Sequence, residues 1–325
     1  MKNMDYCLND TTSTSKSILL PFGTSDFEEI RKNGLYYVDK TYLIKELIDF
    51  STKVTLFTRP RRFGKTLTMS MLQSFFDIQK DTKELFDGLR ISRDSEICTN
   101  YMNQYSTIFV TLRNVEGLDF QFAFSNFKAA VQDMYKSHSV LADSSKLEKE
   151  DRELFSKLSK AKGTEFETVN ALKTLIHFLY LHYNKPVIVL IDEYDVPLAK
   201  STGTDFYDRM LFDIRSFMTP LKDNSYLKFA VITGCLRISK ESIFTGTNNF
   251  YVDSLAASSF NEYFGFTDGE VRKLLEDVGA LTQYQNVKDW YDGYNSNGIE
   301  LYCPWDVIHY VQDFLKGRKD IPKCY

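Results

Sequence analysis

The chain has 325 residues, 43% of them hydrophobic and 15% aromatic, apolar material enough for the core of one large domain with a small companion. A net charge of −4 excludes a surface given over wholly to nucleic acid, so any DNA contact would be local. The cysteines (Cys7, Cys98, Cys235, Cys303, Cys324) lack C-x-x-C spacing and favour a reducing cytoplasm over a disulfide framework, and no apolar run approaches the ~18 residues of a membrane span.

Residues 1–17 read as a polar, mobile tail without the apolar stretch of a signal peptide. From 18 to 260 the pattern is that of an α/β domain. A short helix is expected over 27–32, and a second through Leu43, Leu47 and Ile48. Tyr37 or Val38, just upstream of the first strand, would touch a nucleotide base or simply pack in the core.

Val54, Leu56 and Phe57 mark a buried strand, and a helical apolar rhythm begins at Lys65 with Leu67, Met71, Leu72 and Phe75. Between them runs T-R-P-R-R-F-G-K-T, ending in the last half of the phosphate-binding pattern G-x-x-x-x-G-K-[ST]. Backbone N–H groups and a helix N-terminus would cradle a β-phosphate there. Gly64 lets the backbone approach, Lys65 reaches the β/γ-phosphates, and Thr66 can ligate Mg²⁺. Arg59 stands where the pattern has its first glycine, and Arg61 and Arg62 add charge. The candidate nucleotide contacts are therefore Arg59, Arg61, Arg62, Phe63, Gly64, Lys65, Thr66 and Leu67. A basic turn capping an ordinary β-α unit would show the same residues.

A second strand is expected over 107–112, then a helix carrying Phe120, Phe124, Phe127, Val131 and Met134. Residues 139–163 read as a solvated, partly helical excursion with Leu147, Leu154 and Leu158 turned inward. Five consecutive apolar residues, 187–191, indicate a strand buried on both faces, and it ends in Asp192-Glu193. Ligands of open α/β sheets bind beyond the carboxyl ends of strands. Asp192 would hold Mg²⁺ and Glu193 would act as general base on the attacking water, unless the pair only caps the next helix.

A further strand, 229–233, ends in T-G-C-L-R. The strand between the phosphate loop and the acidic pair suggests that those two are not sheet neighbours, leaving room for this one between them. That order belongs to P-loop ATPases with an added catalytic glutamate. Thr233 would then sit beside the γ-phosphate and orient water, and Arg237 would sense or neutralise it; a buried hydroxyl and a surface arginine are the plainer readings.

From 261 to 325 a small helical lid or subdomain is expected. Thr267 is the N-cap of a helix whose capping box Glu270 closes, with Phe266 stapled on Val271. Trp305, Ile308, Val311 and Phe314 serve either an interface with a further domain or internal packing.

These segments resemble the bacterial AAA-ATPase-like family, related to the signalling P-loop ATPases, in which the ATPase region commonly precedes a PD-(D/E)xK nuclease-like domain. The matching stretches are L-P-F-G-T-S-D-F-E-E-I, Y-Y-V-D-K-T, T-R-P-R-R-F-G-K-T, I-D-E-Y-D-V-P-L, I-T-G-C-L-R-I-S-K-E-S-I-F, Y-F-G-F-T and W-Y-D-G-Y with L-Y-C-P-W-D-V-I. The resemblance implies that Lys65 and Thr66 serve phosphate and Mg²⁺, that Asp192 and Glu193 are the acidic pair, and that arginine at position 59 is a family feature. In that family a nuclease-like domain would begin near Tyr325, so the sequence is read either as truncated there or as a standalone ATPase half. Asp81-Thr82-Lys83 has nuclease spacing but follows a helix without a partner carboxylate, so the chain alone is not expected to cut nucleic acid.

The expected fold is therefore a P-loop NTPase of the AAA-like kind: a parallel sheet with flanking helices, followed by a small helical lid. The expected function is a cytoplasmic, Mg²⁺-dependent ATPase switch for an attached or partner effector, binding ATP, with no membrane contact and with oligomers admissible. Two alternatives stand: a non-hydrolysing nucleotide-binding scaffold, and a DNA-binding module using Arg59, Arg61 and Arg62.

Overall fold

The computed structural model describes residues 18–236, 250–257 and 259–318; the stretch 1–17 and Arg237 lie outside the described residues. Chain order begins with helices α1 (Phe27–Lys32) and α2 (Leu43–Phe50), strand β1 (Val54–Thr58) and helix α3 (Lys65–Phe76). Helix α4 (Ser95–Tyr101), strand β2 (Thr107–Thr111) and helix α5 (Phe120–Lys136) follow. Next come α6 (Lys149–Leu158), α7 (Glu165–Val169), α8 (Ala171–Tyr183), strand β3 (Val187–Asp192), α9 (Val196–Ser201) and α10 (Tyr207–Met218). Strands β4 (Leu227–Gly234) and β5 (Phe250–Asp253) close the first sheet.

That sheet is parallel throughout and has the order β2-β3-β4-β1-β5. As expected, β4 separates the loop-bearing β1 from the acidic β3. All six residues of β3 are buried, since a central parallel strand is covered on both faces. Its alternation divides the core. Val187, Val189 and Ile191 join one apolar cluster with α5, α8 and α10. Ile188 and Leu190 join the opposite cluster with α1 to α4. The result is a three-layer α/β/α domain. The edge strand β5 carries no sequence signal of its own, because F-Y-V-D is too short to show a period.

The C-terminal part carries the expected helices α11 (Asp268–Asp277), α12 (Tyr284–Tyr291) and α13 (Pro304–Leu315). The capping box of Thr267 and Glu270 is formed on α11. Threaded between the helices are strands β6 (Phe266–Thr267), β7 (Asp292–Ser296) and β8 (Ile299–Tyr302), an antiparallel sheet in the order β6-β8-β7. The turn joining β7 to β8 is Asn297-Gly298, with φ of 50° and 86°, and Ser296 pairs with Ile299 across it. Two left-handed residues are what a tight hairpin turn needs, and Asn-Gly supplies them with least strain. Val307 and Val311 are fully buried in this subdomain's own core, with Ile308 and Phe314 packed against it. Internal packing accounts for Val307 and Val311, while Trp305, Ile308 and Phe314 are only partly covered.

The N-terminal segment straps the two parts together. Leu20, Tyr36 and Val38 pack on the lid core. Lys40 Nζ lies 2.6 Å from both carboxylate oxygens of Glu270, and the Tyr36 hydroxyl donates to Asp277 at 2.9 Å.

Arg59 departs from its expected role. Its guanidinium is buried, ion-paired with the equally buried Asp253 at the end of β5, and it also donates to the Asp253 carbonyl at 2.9 Å and the Thr58 carbonyl at 3.1 Å. The rings of Phe57 and Phe264 cover it at 5.9 Å and 5.0 Å. A guanidinium committed to the interior cannot also meet a nucleotide, so Arg59 leaves the contact set and becomes a brace between the phosphate loop and the edge strand. Removing one partner strands the other charge in an apolar site. Asp253→Ala is expected to cost ~3–5 kcal/mol of stability, and the double variant Arg59→Leu, Asp253→Leu distinctly less. Chemical denaturation of the two proteins measures this, and a double variant less stable than the single one would refute the brace.

Candidate nucleotide-binding site

The strand order brings the carboxyl ends of β1, β4 and β3 side by side. Asp192, the last residue of β3, is fully buried. Thr66 on the first turn of α3 donates to its Oδ2 at 2.8 Å, and Thr233 near the end of β4 donates to its Oδ1 at 2.5 Å. Each carboxylate oxygen so receives one hydroxyl, and a buried carboxylate is tolerable only with such partners. The expected neighbourhood of Thr66, Asp192 and Thr233 is thus a direct chain of hydrogen bonds.

The loop between β1 and α3 is bent by two left-handed residues, Arg62 at φ 67° and Gly64 at φ 81°. A Cβ at Gly64 would meet nothing within 4 Å, so the backbone angle, not crowding, calls for glycine. The Lys65 ammonium is buried beneath the loop and donates to the carbonyls of Pro60 at 3.0 Å and Arg59 at 3.2 Å; Cys235 Sγ lies 3.2 Å away.

Glu193 follows Asp192 in the left-handed region, φ 57°, unusual for a side chain larger than asparagine. Half-buried, its carboxyl is pushed above the usual glutamate range, first by burial and then by Asp192 and Asp195, with Lys65 and Arg113 opposing.

Above these groups opens a cavity of about 490 Å³. Arg62, Phe63, Gly64, Lys65, Thr66, Leu67 and Glu193 line it on one side, and Tyr37 and Val38, the residues expected near a base, on another. The C-terminal subdomain contributes Gly265, Phe266, Trp305 and Ile308 to its lining. Gly265 N–H donates to the Phe63 carbonyl at 3.2 Å, and the Arg62 guanidinium lies 4.8 Å from the Trp305 ring centroid. Arg61 is exposed but is not among the lining residues, and Asp192 and Thr233 lie beneath the cavity floor.

Sequence reasoning passed over three residues of this site. Arg113, just beyond β2, lines the cavity and donates from Nη2 to Thr66 Oγ1 at 3.0 Å. Asp195 is buried, and its Oδ2 accepts from the N–H groups of Cys235 at 3.1 Å and Leu236 at 2.8 Å, tying the exit of β3 to that of β4. Gly234 makes this junction feasible. The third acid of I-D-E-Y-D and the glycine of T-G-C were the available signals; Arg113 gave none.

Thr66 and Asp192 offer one hydroxyl and one carboxylate in contact, the oxygen pair that suits a small hard cation whose other ligands are water and phosphate. Among the described residues no group of three or more His, Cys, Asp or Glu could hold a metal unaided. No helix among them is long and apolar enough to cross a membrane.

The parallel sheet, the glycine-lysine-threonine turn opening α3 and the buried acid at the end of β3 together make a fold of the P-loop NTPase kind. More narrowly, the chain belongs to the family described as predicted AAA-ATPase, whose model matches residues 21–244. It is also similar to a protein of Azotobacter chroococcum mcd 1 described as "Uncharacterized protein in vnfD 5'region", with 28% identity over 296 residues. The matched region covers 89% of this chain and 51% of that relative, so the chain spans about half the relative's length. No solved structure matches.

A Cβ at Gly234 would stand 2.5 Å from Asp195 Oδ1 and 2.6 Å from the Tyr194 ring, closer than either can accept. Gly234→Ala should therefore lift Asp195 off its two N–H donors and destabilise the protein by ~1–3 kcal/mol. A thermal melt indistinguishable from the parent would show that the junction is looser than described.

Proposed function

We propose that the chain is a Mg²⁺-dependent ATPase that uses the bound triphosphate to set the position of its lid, as a switch for an attached or partner effector. The observation that carries this reading is the Thr66–Asp192–Thr233 hydrogen-bond chain, set beside Lys65 and below Glu193 in a cavity shared with the lid.

The loop N–H groups and the N-terminus of α3 would receive the β-phosphate, and Lys65 would exchange its two carbonyl partners for β/γ oxygens. Thr66 and Asp192 would hold Mg²⁺, which supplies charge neutralisation at those oxygens. Asp192 is fixed for this by Thr233, whose role is then to position the carboxylate from beneath, with water orientation left to other groups. Glu193, with its raised pKa, suits a general base, and its left-handed backbone turns the side chain into the cavity. Tyr37 and Val38 would border the base.

The switch rests on the lid's share of the cavity. Gly265, Trp305 and Ile308 face the same space as the phosphate loop, so occupancy would favour one lid position over another. The effector, such as a PD-(D/E)xK nuclease-like domain, would correspond to the length that the Azotobacter relative has beyond the match. The DNA-binding alternative loses Arg59 to the interior, and the scaffold alternative leaves the strained placement of Glu193 without a purpose.

Lys65→Ala should lower ATP affinity about tenfold or more, close to 1.4 kcal/mol, by calorimetry. Unaltered binding in that variant would end the assignment of the loop. Turnover supplies the second check. Glu193→Gln should bind ATP and Mg²⁺ while losing hydrolysis, because an amide cannot accept the water's proton. In the wild type only the ionised carboxylate works, so the rate should fall as pH drops, with a midpoint displaced upward from the ordinary glutamate value of 4.5 by burial. A wild type that hydrolyses no triphosphate would hand the case to the scaffold reading.

A further inference from the structure

Thr66 Oγ1 is the only hydroxyl in the proposed metal pair, and its proton and one of its two lone pairs are engaged. It gives its proton to Asp192 Oδ2 at 2.8 Å and accepts from Arg113 Nη2 at 3.0 Å. The backbone fixes where that guanidinium starts. Thr111 pairs with Asp192 in the sheet, Leu112 N–H donates to the Asp192 carbonyl at 2.9 Å, and Arg113 comes next. From the β2 side of the sheet the side chain then reaches past the end of β3 to the first turn of α3. Arg113 is exposed and stands in the same cavity as Lys65 and Glu193. It has no other hydrogen-bonded side chain or ion pair to hold it there among the described residues.

A metal ion at Thr66 would have to bind the same oxygen that now accepts from Arg113. Two cations cannot share that oxygen, since like charges at such a distance repel in a half-enclosed site. We propose that Arg113 is a positioning residue that gates the metal: its guanidinium holds the Thr66 hydroxyl in the nucleotide-free chain and must leave before Mg²⁺ can enter. This rests on the ATPase reading above. The phosphates of an incoming nucleotide are the natural force for the exchange, because guanidinium prefers a bidentate phosphate or carboxylate partner to a single neutral hydroxyl. The gate thereby ties metal entry to nucleotide entry, and metal without nucleotide meets a closed ligand.

The cost of the gate is a lower fraction of chains ready for metal, and the apparent midpoint for Mg²⁺ rises in proportion. The experiment is a Mg²⁺ titration of the full chain without nucleotide, followed by calorimetry, on wild type and Arg113→Ala, with ATP binding measured separately on wild type and Lys65→Ala. Arg113→Ala should shift the Mg²⁺ midpoint about threefold or more toward lower concentration. A thermal melt checks that the exposed substitution leaves the fold intact, and Arg113→Gln, which keeps length without charge, should move the midpoint in the same direction. An unchanged or higher midpoint in both variants overturns the gate while leaving the nucleotide site standing, provided Lys65→Ala has lost ATP. Failure of the wild type to bind ATP at any Mg²⁺ concentration overturns the gate together with the reading on which it rests.

Discussion

One buried carboxylate organises this molecule. Asp192 sits at the end of the most deeply covered strand, and a buried polar group in that position requires hydrogen-bond partners on both oxygens. Thr233 comes from the neighbouring strand and Thr66 from the helix after the next strand. The strand order β3-β4-β1 is what lets both reach it. Were β1 and β3 adjacent, Thr233 would have no place between them. Fold and site are one constraint here: the sheet exists in this order, and the acid is satisfied because of it.

The phosphate loop is held from two further directions. Below and to the side, Arg59 ties it to β5 through Asp253, in a pocket walled by Phe57 and Phe264. Above, Phe63 packs with Leu301 and Cys303 of the lid, and its carbonyl meets Gly265 N–H. A glycine at position 59 would provide the first anchor no side chain at all. The arginine found there stiffens the loop's entry, and the charges at Arg61 and Arg62 remain on the outside.

Much of this was legible in the residues. Strong periodicity over long segments gave β1, β3, β4, α3, α5 and the capped start of α11, because in those stretches burial follows secondary-structure period directly. Thr66, Asp192 and Thr233 were each legible as candidates, since each lies at a strand or helix end with a known chemical preference, but Thr233 was expected beside the γ-phosphate and instead donates to Asp192. What escaped had no local signature. The hairpin from β7 to β8 exposes Gly293-Tyr294-Asn295, so no alternation marks it, and Asn-Gly was its one clue. The direction of Arg59 depended on Asp253, 194 positions away, on a strand too short to announce itself. Arg113 is an exposed arginine after a strand, indistinguishable in sequence from any solvated one.

Backbone strain marks the same place. Among the described residues, Arg62 and Glu193 are two of the few non-glycine residues with positive φ, and both line one cavity. Asparagine accounts for three of the others, Asn103, Asn184 and Asn297, as its short side chain makes it tolerant of that region. Neither arginine nor glutamate has that tolerance, and each such residue raises the free energy of the folded chain by roughly 1–2 kcal/mol. Strain of this kind persists only where the surroundings over-determine it. At Arg62 the lid's Trp305 does so, and at Glu193 the hydrogen bond from Tyr194 N–H to the Thr233 carbonyl at 3.1 Å does so from the sheet. The two strained residues thus report on different partners, one on the lid and one on the sheet. In the switch proposed above, a ligand in the cavity would feel both.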